Sequence, residues 1–257
     1  MYPYKLFGDF DLYLICLVAG AAGALLLFRY LSERTGLSAR VTNLALSGGV
    51  LGIALGYGAA VLFQAFYDFL ATGEFLLNSD TGATFYGGLV GGILAFLAVY
   101  FGGGHFLLPT HEHIAAFPQT ASLAACSITL AHACGRVGCF FAGCCHGNET
   151  DAWYGIYMPA AGTTVVPTQL LEALFLAALC AFLIFRALHG ARDGFPLYMT
   201  VYGVFRFFFE YLRGDYRGAS PVWFLTPSQF IALLMVAVGI LLLLREPKKP
   251  AAGERDT

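Results

Sequence analysis

The stretch from Gly135 to Gly147, G-R-V-G-C-F-F-A-G-C-C-H-G, puts one arginine, three cysteines and one histidine at the end of a long apolar segment. The guanidinium of Arg136 is always charged, and its fork of donors suits a phosphate or a carboxylate. The glycines that flank it let the backbone turn sharply or come close to a ligand. A second charged stretch, Y-G-V-F-R-F-F-F-E-Y-L-R, runs from Tyr202 to Arg213. Tyr202, Arg206, Glu210 and Arg213 stand four, four and three apart and so share one helical face. A charge at membrane depth costs several kcal/mol, and an i, i+4 pair of Arg206 with Glu210 offsets part of that. Glu172, in the first turns of another apolar segment, adds a second carboxylate. Three arginines with two carboxylates suit an anionic headgroup: the guanidiniums neutralise a leaving phosphate and the carboxylates hold them in place. The plainer alternative is an ion pair that only orients a helix bundle. The headgroup reading is favoured because Arg136 and Arg213 belong to the same side and Glu172 begins a helix there.

These residues need elements that hold them in lipid. The chain has 257 residues, 58% hydrophobic and 12% charged, with a mean hydropathy of +0.71. Soluble domains carry about twice that charge, and several apolar runs reach the roughly 18 residues that span a bilayer. The expected fold is all-α and polytopic, with seven transmembrane helices at about 12–30, 41–70, 84–101, 120–133, 168–188, 195–212 and 226–244. The first run lacks a basic leader and a small-residue cleavage site, so it is expected to remain as a span. A single transmembrane domain over 1–245 is expected, then a basic, disordered cytoplasmic tail over 246–257. The net charge of −2 names no partner, and with no basic stripe nucleic acid is excluded.

Gly48, Gly52 and Gly56, and again Gly88 and Gly92, repeat at four-residue spacing, which lets helix backbones approach closely. Thr226-Pro227-Ser228-Gln229 is a capping box with proline at the first helical position. The segment 102–119 reads as a solvated loop, and its His111 and His113 as loop residues rather than a metal pair, because residues two apart on a helix do not face each other. The segment 136–166 is the longest hydrophilic part, with Trp153, Tyr154 and Tyr157 suited to the membrane interface. An outside amino terminus puts Arg29, Arg34, Arg40, Arg186, Arg192 and the tail's cations inside. It leaves only Lys5, Arg136, Arg213 and Arg217 outside, with Arg206 buried in its span. The positive-inside rule therefore predicts N-out, C-in. The outside arginines defy that rule and are candidates for function.

Four segments carry a resemblance: G-R-V-G at Gly135 to Gly138, P-T-Q-L-L-E at Pro167 to Glu172, the Tyr202 to Arg213 stretch, and L-T-P-S-Q at Leu225 to Gln229. Together, and in this order, they resemble the prolipoprotein diacylglyceryl transferase family over nearly the whole chain. The resemblance implies a bacterial inner-membrane enzyme with its site facing the outer side. Such an enzyme moves a diacylglyceryl group from phosphatidylglycerol to the thiol of a lipobox cysteine in a preprotein, and glycerol 1-phosphate leaves. No cofactor and no metal are implied. Arg136 and Arg206 would bind and stabilise the phosphate, Glu210 would orient Arg206, and Tyr86 would stand at the usual base position. Tyr13, Tyr202, Arg213, Glu172, Gly87, Gly88, Gly138 and Gln169 would line the substrates.

The opening motif departs from the family's G-R-x-G-N-F-x-N-G-E. Cys139 stands for the first asparagine, Ala142 for the second and Cys144 for the glutamate; Tyr86 replaces the histidine before Gly-Gly. Cys139 and Cys144 are therefore candidate catalytic groups, and Cys145 and His146 candidate substrate contacts. Three readings of the cysteines stay open: a thiol activated by Arg136 in a modified transferase site, a structural disulfide on the oxidising side, or a soft-metal site. C-x4-C-C-H is not a standard zinc spacing. Cys16, Cys126 and Cys180 sit in apolar runs and read as packing residues. The competing functions are a membrane thiol-redox or metal protein built on the cluster, and a non-catalytic lipid-binding protein. The redox protein has no need of the charged face of Arg206, Glu210 and Arg213, and the lipid-binding protein predicts stoichiometric lipid binding without turnover.

Overall fold

The computed structural model describes residues 11–75, 77–78, 81–214 and 224–245. The basic tail at 246–257, and the sites of Lys5 and Arg217, lie outside the described residues. The described chain is almost wholly helical. Among the described residues, six helices are long and apolar enough to cross a membrane: Leu12–Arg34, Ala39–Leu70, Tyr86–Leu107, Glu112–Ala142, Thr168–Leu188 and Pro227–Arg245. The chain divides into two compact units, one over 1–27 and 121–257, the other over 28–120.

In the unit over 28–120, helix α1 (Leu12–Arg34) ends and α2 (Ala39–Thr72) begins at Ser38, whose hydroxyl accepts from the Val41 amide at 3.3 Å. Helix α3 (Phe85–Leu97) continues through a π-helical stretch, Ala98–Gly103, into α4 (Gly104–Leu107). The glycine spacing acts as its pattern predicts. A Cβ on Gly56 would lie 2.9 Å from the Gly88 carbonyl oxygen, and one on Gly52 would lie 3.1 Å from that of Gly92. Only glycine permits this backbone contact between α2 and α3.

The segment 102–119 is not a solvated loop. Most of it is helical, and α5 (Glu112–Ala142) starts within it. His113 is buried, with its ring edge-on to Tyr100 at 5.8 Å, while the Tyr100 hydroxyl donates to the His113 carbonyl at 2.8 Å. Aromatic packing overrides the polarity of the segment. His105 and His111 stack on each other at 5.0 Å.

In the other unit, α5 is followed by a folded connection, then α6 (Thr168–Leu188), α7 (Gly194–Phe209), a 3₁₀ turn (Glu210–Leu212) and α8 (Pro227–Arg245). The α-helical part of α7 is 16 residues, and α7 is not among the six helices of membrane-crossing length. The connection from 143 to 167 holds a hairpin, β1 (Ile156–Met158) against β2 (Thr163–Val165), antiparallel with Tyr157 opposite Thr164. Trp153 and Tyr157 project from it, exposed.

The burial pattern is that of a protein in lipid. Leu26, Leu55, Leu94, Leu174 and Leu244 face outward, whereas Gln169, Glu172, Arg206, Glu210 and Gln229 are buried. Polar groups inside hydrocarbon must find partners within the protein, so they turn inward. Cys126 and Cys180 are buried as expected, and the Cys180 thiol donates to the Cys126 carbonyl at 3.3 Å; Cys16 is only half-buried.

Candidate active site

The opening stretch is helical up to Ala142 rather than a loop, so Arg136 sits inside α5. Gly135 and Gly138 make no turn there. A Cβ on Gly138 would come within 3.1 Å of a Tyr13 ring carbon and 3.2 Å of Cys16 Cβ. This glycine therefore lets α1 press onto α5, one turn from Cys134 and beside Arg136. Tyr13 is thus brought to the arginine's end of α5.

Arg136 reaches α6 from this position. Its Nε lies 3.0 Å from Oε2 of the fully buried Glu172. The other carboxylate oxygen accepts from the Tyr202 hydroxyl at 2.8 Å and lies 3.8 Å from His132 Nε2. The His132 ring stands edge-on to Tyr202, with centroids 5.1 Å apart, and Tyr198 stacks on Tyr202 at 5.6 Å. Three helices thus fix one guanidinium through one carboxylate.

A second pair lies on α7 and the turn after it. Arg206 Nη2 meets Glu210 Oε2 at 2.6 Å and donates to Ser228 Oγ at 3.1 Å. The Thr226 hydroxyl donates to Glu210 Oε1 at 2.9 Å. The 3₁₀ turn matters here. Side chains three apart eclipse in that geometry, which stacks Arg213 on Glu210 with Nε 4.0 Å from Oε2. The capping box forms as its sequence predicts: the Gln229 amide donates to Thr226 Oγ1 at 3.2 Å and the Thr226 amide to Gln229 Oε1 at 3.1 Å. The cap of α8 thereby presents Thr226 and Ser228 to the ion pair. Tyr202, Arg206, Glu210 and Arg213 are all buried.

The cysteine loop joins this site through its backbone. Helix α5 ends in a Schellman motif: Gly143, at φ 73°, donates to the Phe140 carbonyl at 3.2 Å, and the Cys144 amide donates to the Cys139 carbonyl at 3.2 Å. The motif folds Cys144 back over Cys139. Cys145 is left-handed at φ 62°, which is uncommon for a residue with a Cβ. Two side chains from the start of α6 hold the loop. The Gln169 amide donates to the Cys144 carbonyl at 2.5 Å and the Thr168 hydroxyl to the Cys145 carbonyl at 2.9 Å. Gly147 then pairs with Arg213, and a Cβ there would lie 2.6 Å from the Leu212 carbonyl oxygen. The Asn148 amide donates to that same oxygen at 2.9 Å.

The three sulfurs of Cys139, Cys144 and Cys145 all lie within 4.8 Å of one another. Hydrogen bonds from the Cys139 and Cys144 thiols, with the Arg213 guanidinium beside them, hold the Cys145 thiol well below the usual thiol range. Cys139 and Cys144 carry free thiols, so no disulfide joins this pair. His146 is not in the sulfur cluster. Its Nδ1 lies 3.1 Å from the Gly147 carbonyl oxygen.

Most of the sequence candidates therefore converge: Arg136, Glu172, Tyr202, Arg206, Glu210, Arg213, Gln169, Tyr13, Gly138 and the three cysteines belong to one unit. Tyr86, Gly87 and Gly88 open α3 in the other unit. There a Cβ on Gly87 would lie 2.6 Å from Phe63 Cβ, and one on Gly88 would lie 3.3 Å from Ala60 Cβ, so both serve packing against α2. Sequence reasoning passed over His132, Tyr198, Thr226 and Ser228 as partners. The spacing of His132 four residues before Arg136, and of Tyr198 four before Tyr202, was the available signal.

A family model described as prolipoprotein diacylglyceryl transferase matches residues 5–245. A Clostridium tetani protein named phosphatidylglycerol–prolipoprotein diacylglyceryl transferase is 30% identical over 248 residues, 93% of each chain. A Clostridium perfringens protein of that name, numbered 2, is 40% identical over 131 residues, which is 48% of this chain and 50% of that one. A Dehalococcoides mccartyi protein of the same name is 29% identical over 187 residues, 70% of this chain and 67% of that one. The match takes in every helix of the fold and both buried arginine–carboxylate pairs, and the chain belongs to the prolipoprotein diacylglyceryl transferase family.

Proposed function

We propose that this protein transfers the diacylglyceryl group of phosphatidylglycerol to the cysteine thiol of a lipobox-bearing prolipoprotein and releases glycerol 1-phosphate. The reading extends to its setting: a bacterial inner membrane, seven crossings with α7 and its 3₁₀ extension as the sixth, the amino terminus outside, and the arginine site at the outer side. The distribution of cations along the chain supports that orientation.

The observation that carries the proposal is the state of Arg206. Its Nη2 is fixed on Glu210 and Ser228, while its buried Nη1 has no hydrogen-bond partner among the described residues. A buried guanidinium donor left open in this way suits an anionic oxygen. Arg136, held by Glu172 with its side chain 14% exposed, offers a second guanidinium in the same unit. The phosphodiester binds to these two groups. The acceptor thiol loses its proton to solvent, its sulfur forms a bond to the glyceryl carbon, the carbon–oxygen bond to phosphate breaks, and the electron pair leaves on the phosphate oxygen. Preorganised guanidiniums stabilise that developing charge. The neutralising carboxylates let the arginines stay charged and in place within a low-dielectric surround.

The test is an assay of purified protein with phosphatidylglycerol and a lipobox peptide, scored by mass spectrometry of the peptide and by released glycerol phosphate. The wild type yields both products. Arg136→Ala and Arg206→Ala yield neither while eluting as folded protein. Wild-type turnover in either variant, or no product from the wild type, refutes the reading.

A further inference from the structure

The three cysteines are the least explained feature of this site. Cys139 and Cys144 stand where the family motif has asparagine and glutamate, Cys145 follows directly, and the three come from both sides of a helix terminus. The α5 Schellman motif turns Cys144 over Cys139, and the left-handed Cys145 brings the next sulfur to the same side. Adjacent cysteines in an extended chain point apart, which is why the spacing alone argued against a shared ion. Here all three sulfurs lie within 4.8 Å. A zinc–sulfur bond of about 2.3 Å places three bound sulfurs about 3.8–4.0 Å apart, so closure onto one ion asks for movements below about 1 Å.

Each carbonyl of the adjacent pair is already pinned, Cys144 by Gln169 and Cys145 by Thr168. Such outer contacts orient ligands before an ion arrives. Arg136 and Arg213 both act electrostatically on the cluster. A divalent ion with three thiolates carries a net charge of −1, which these guanidiniums compensate. Cys144 is exposed, which leaves a path for entry.

We propose that Cys139, Cys144 and Cys145 form a three-thiolate site for one thiophilic divalent cation of the zinc class, whose fourth position takes the acceptor's thiol as a thiolate. This inference rests on the transferase reading above, and it departs from the expectation that no metal is used. Thiolates select such soft ions, and three protein ligands leave a position open for a substrate. A coordinated thiol is deprotonated outright, so the acceptor's S–H proton passes to solvent on binding. The coordinated sulfur then attacks the glyceryl carbon, the carbon–oxygen bond to phosphate breaks, and the neutral thioether leaves the ion. No electrons are exchanged with an outside oxidant. The site supplies a thiolate nucleophile at neutral pH.

The test uses the full-length protein in detergent, stripped with a chelator and titrated with cobalt(II) as a spectroscopic stand-in for zinc. The expected result is one cobalt per chain with a thiolate-to-metal absorption band. Adding a cysteine-containing lipobox peptide shifts the spectrum, and the serine analogue of that peptide does not. Cys144→Ser, a change at an exposed position, loses the stoichiometric binding; Cys126→Ala, a cysteine outside the cluster, keeps it. Retention of cobalt by Cys144→Ser, no stoichiometric cobalt in the wild type, or a spectrum indifferent to the cysteine peptide overturns the proposal. Full transferase rates in the stripped protein overturn it too, while leaving the transferase reading intact. The reverse outcome, a cobalt spectrum responsive to the peptide with no product from phosphatidylglycerol, upholds the site and refutes the donor reaction.

Discussion

Glu172 is the most informative residue to change, because a single buried carboxylate holds three groups. Its Oε2 meets Arg136 Nε at 3.0 Å, and its Oε1 accepts from Tyr202 and lies near His132. In Glu172→Gln the side chain keeps its shape. If its oxygen faces Arg136, a charge-assisted bond becomes a neutral one, a loss of about 1–2 kcal/mol. If its nitrogen faces Arg136, donor meets donor and the contact is lost. Glu172→Ala removes the partner altogether and leaves a guanidinium buried and uncompensated, a cost of about 3–5 kcal/mol. Folding stability should therefore fall in the order wild type, Gln, Ala, read as the midpoint of thermal unfolding in micelles. Catalysis follows from the position of Arg136 rather than from its charge. Loss of one aligned donor to a developing oxyanion costs about 2.7–4 kcal/mol, or 10²–10³ in kcat. The assay is glycerol phosphate release under saturating phosphatidylglycerol, with KM measured alongside. A role in positioning Arg136 predicts a fall in kcat larger than the rise in KM. Glu172→Gln and Glu172→Ala both within about threefold of wild-type kcat, with folding intact, would refute the assignment.

Other outcomes follow from the same geometry. Tyr202→Phe strands an oxygen of Glu172 and is expected to cost about 1–3 kcal/mol, read by thermal unfolding, with a matching loss of turnover. Thr226→Ala removes both the cap of α8 and a donor to Glu210, a cost of about 1 kcal/mol or more, and lowers glycerol phosphate formation in the same assay. Gly56→Leu forces a side chain against the Gly88 carbonyl, 2.9 Å from a Cβ. It should lower stability by at least about 1–3 kcal/mol, seen as lost yield of folded protein. In metal-free protein, alkylation of Cys145 should persist at pH values well below the ordinary thiol range, because its folded pKa is depressed. The sign is fixed by linkage: the stability from this thiolate is present above the unfolded thiol value and is lost as pH falls through the folded one. Peptide mapping after iodoacetamide treatment across pH reads this directly, and alkylation that rises only above the ordinary thiol range refutes it.

Several features were legible in the residues alone, each because its cause is local. Apolar runs of bilayer length mark spans whatever they pack against. Four-residue glycine spacing marks a helix face, and α2 meets α3 there. Arg206 and Glu210 are one helical turn apart, so their pairing needs no tertiary knowledge, and the capping box at Thr226 likewise closes within four residues. Other features belong to the tertiary structure. Both ends of α5 lie beyond what the hydrophobic pattern marks, because that pattern fades where a helix carries polar residues: the buried His113 near its start and the arginine-bearing turn near its end are helical through packing. The partner of Arg136 lies on another helix, 36 residues away, and His132 becomes meaningful only once Glu172 is beside it. The sulfur cluster is the clearest case. C-x4-C-C says nothing about convergence until a helix terminus turns one cysteine back and a left-handed residue turns the next, because the direction of a side chain is set by backbone dihedrals that spacing does not encode.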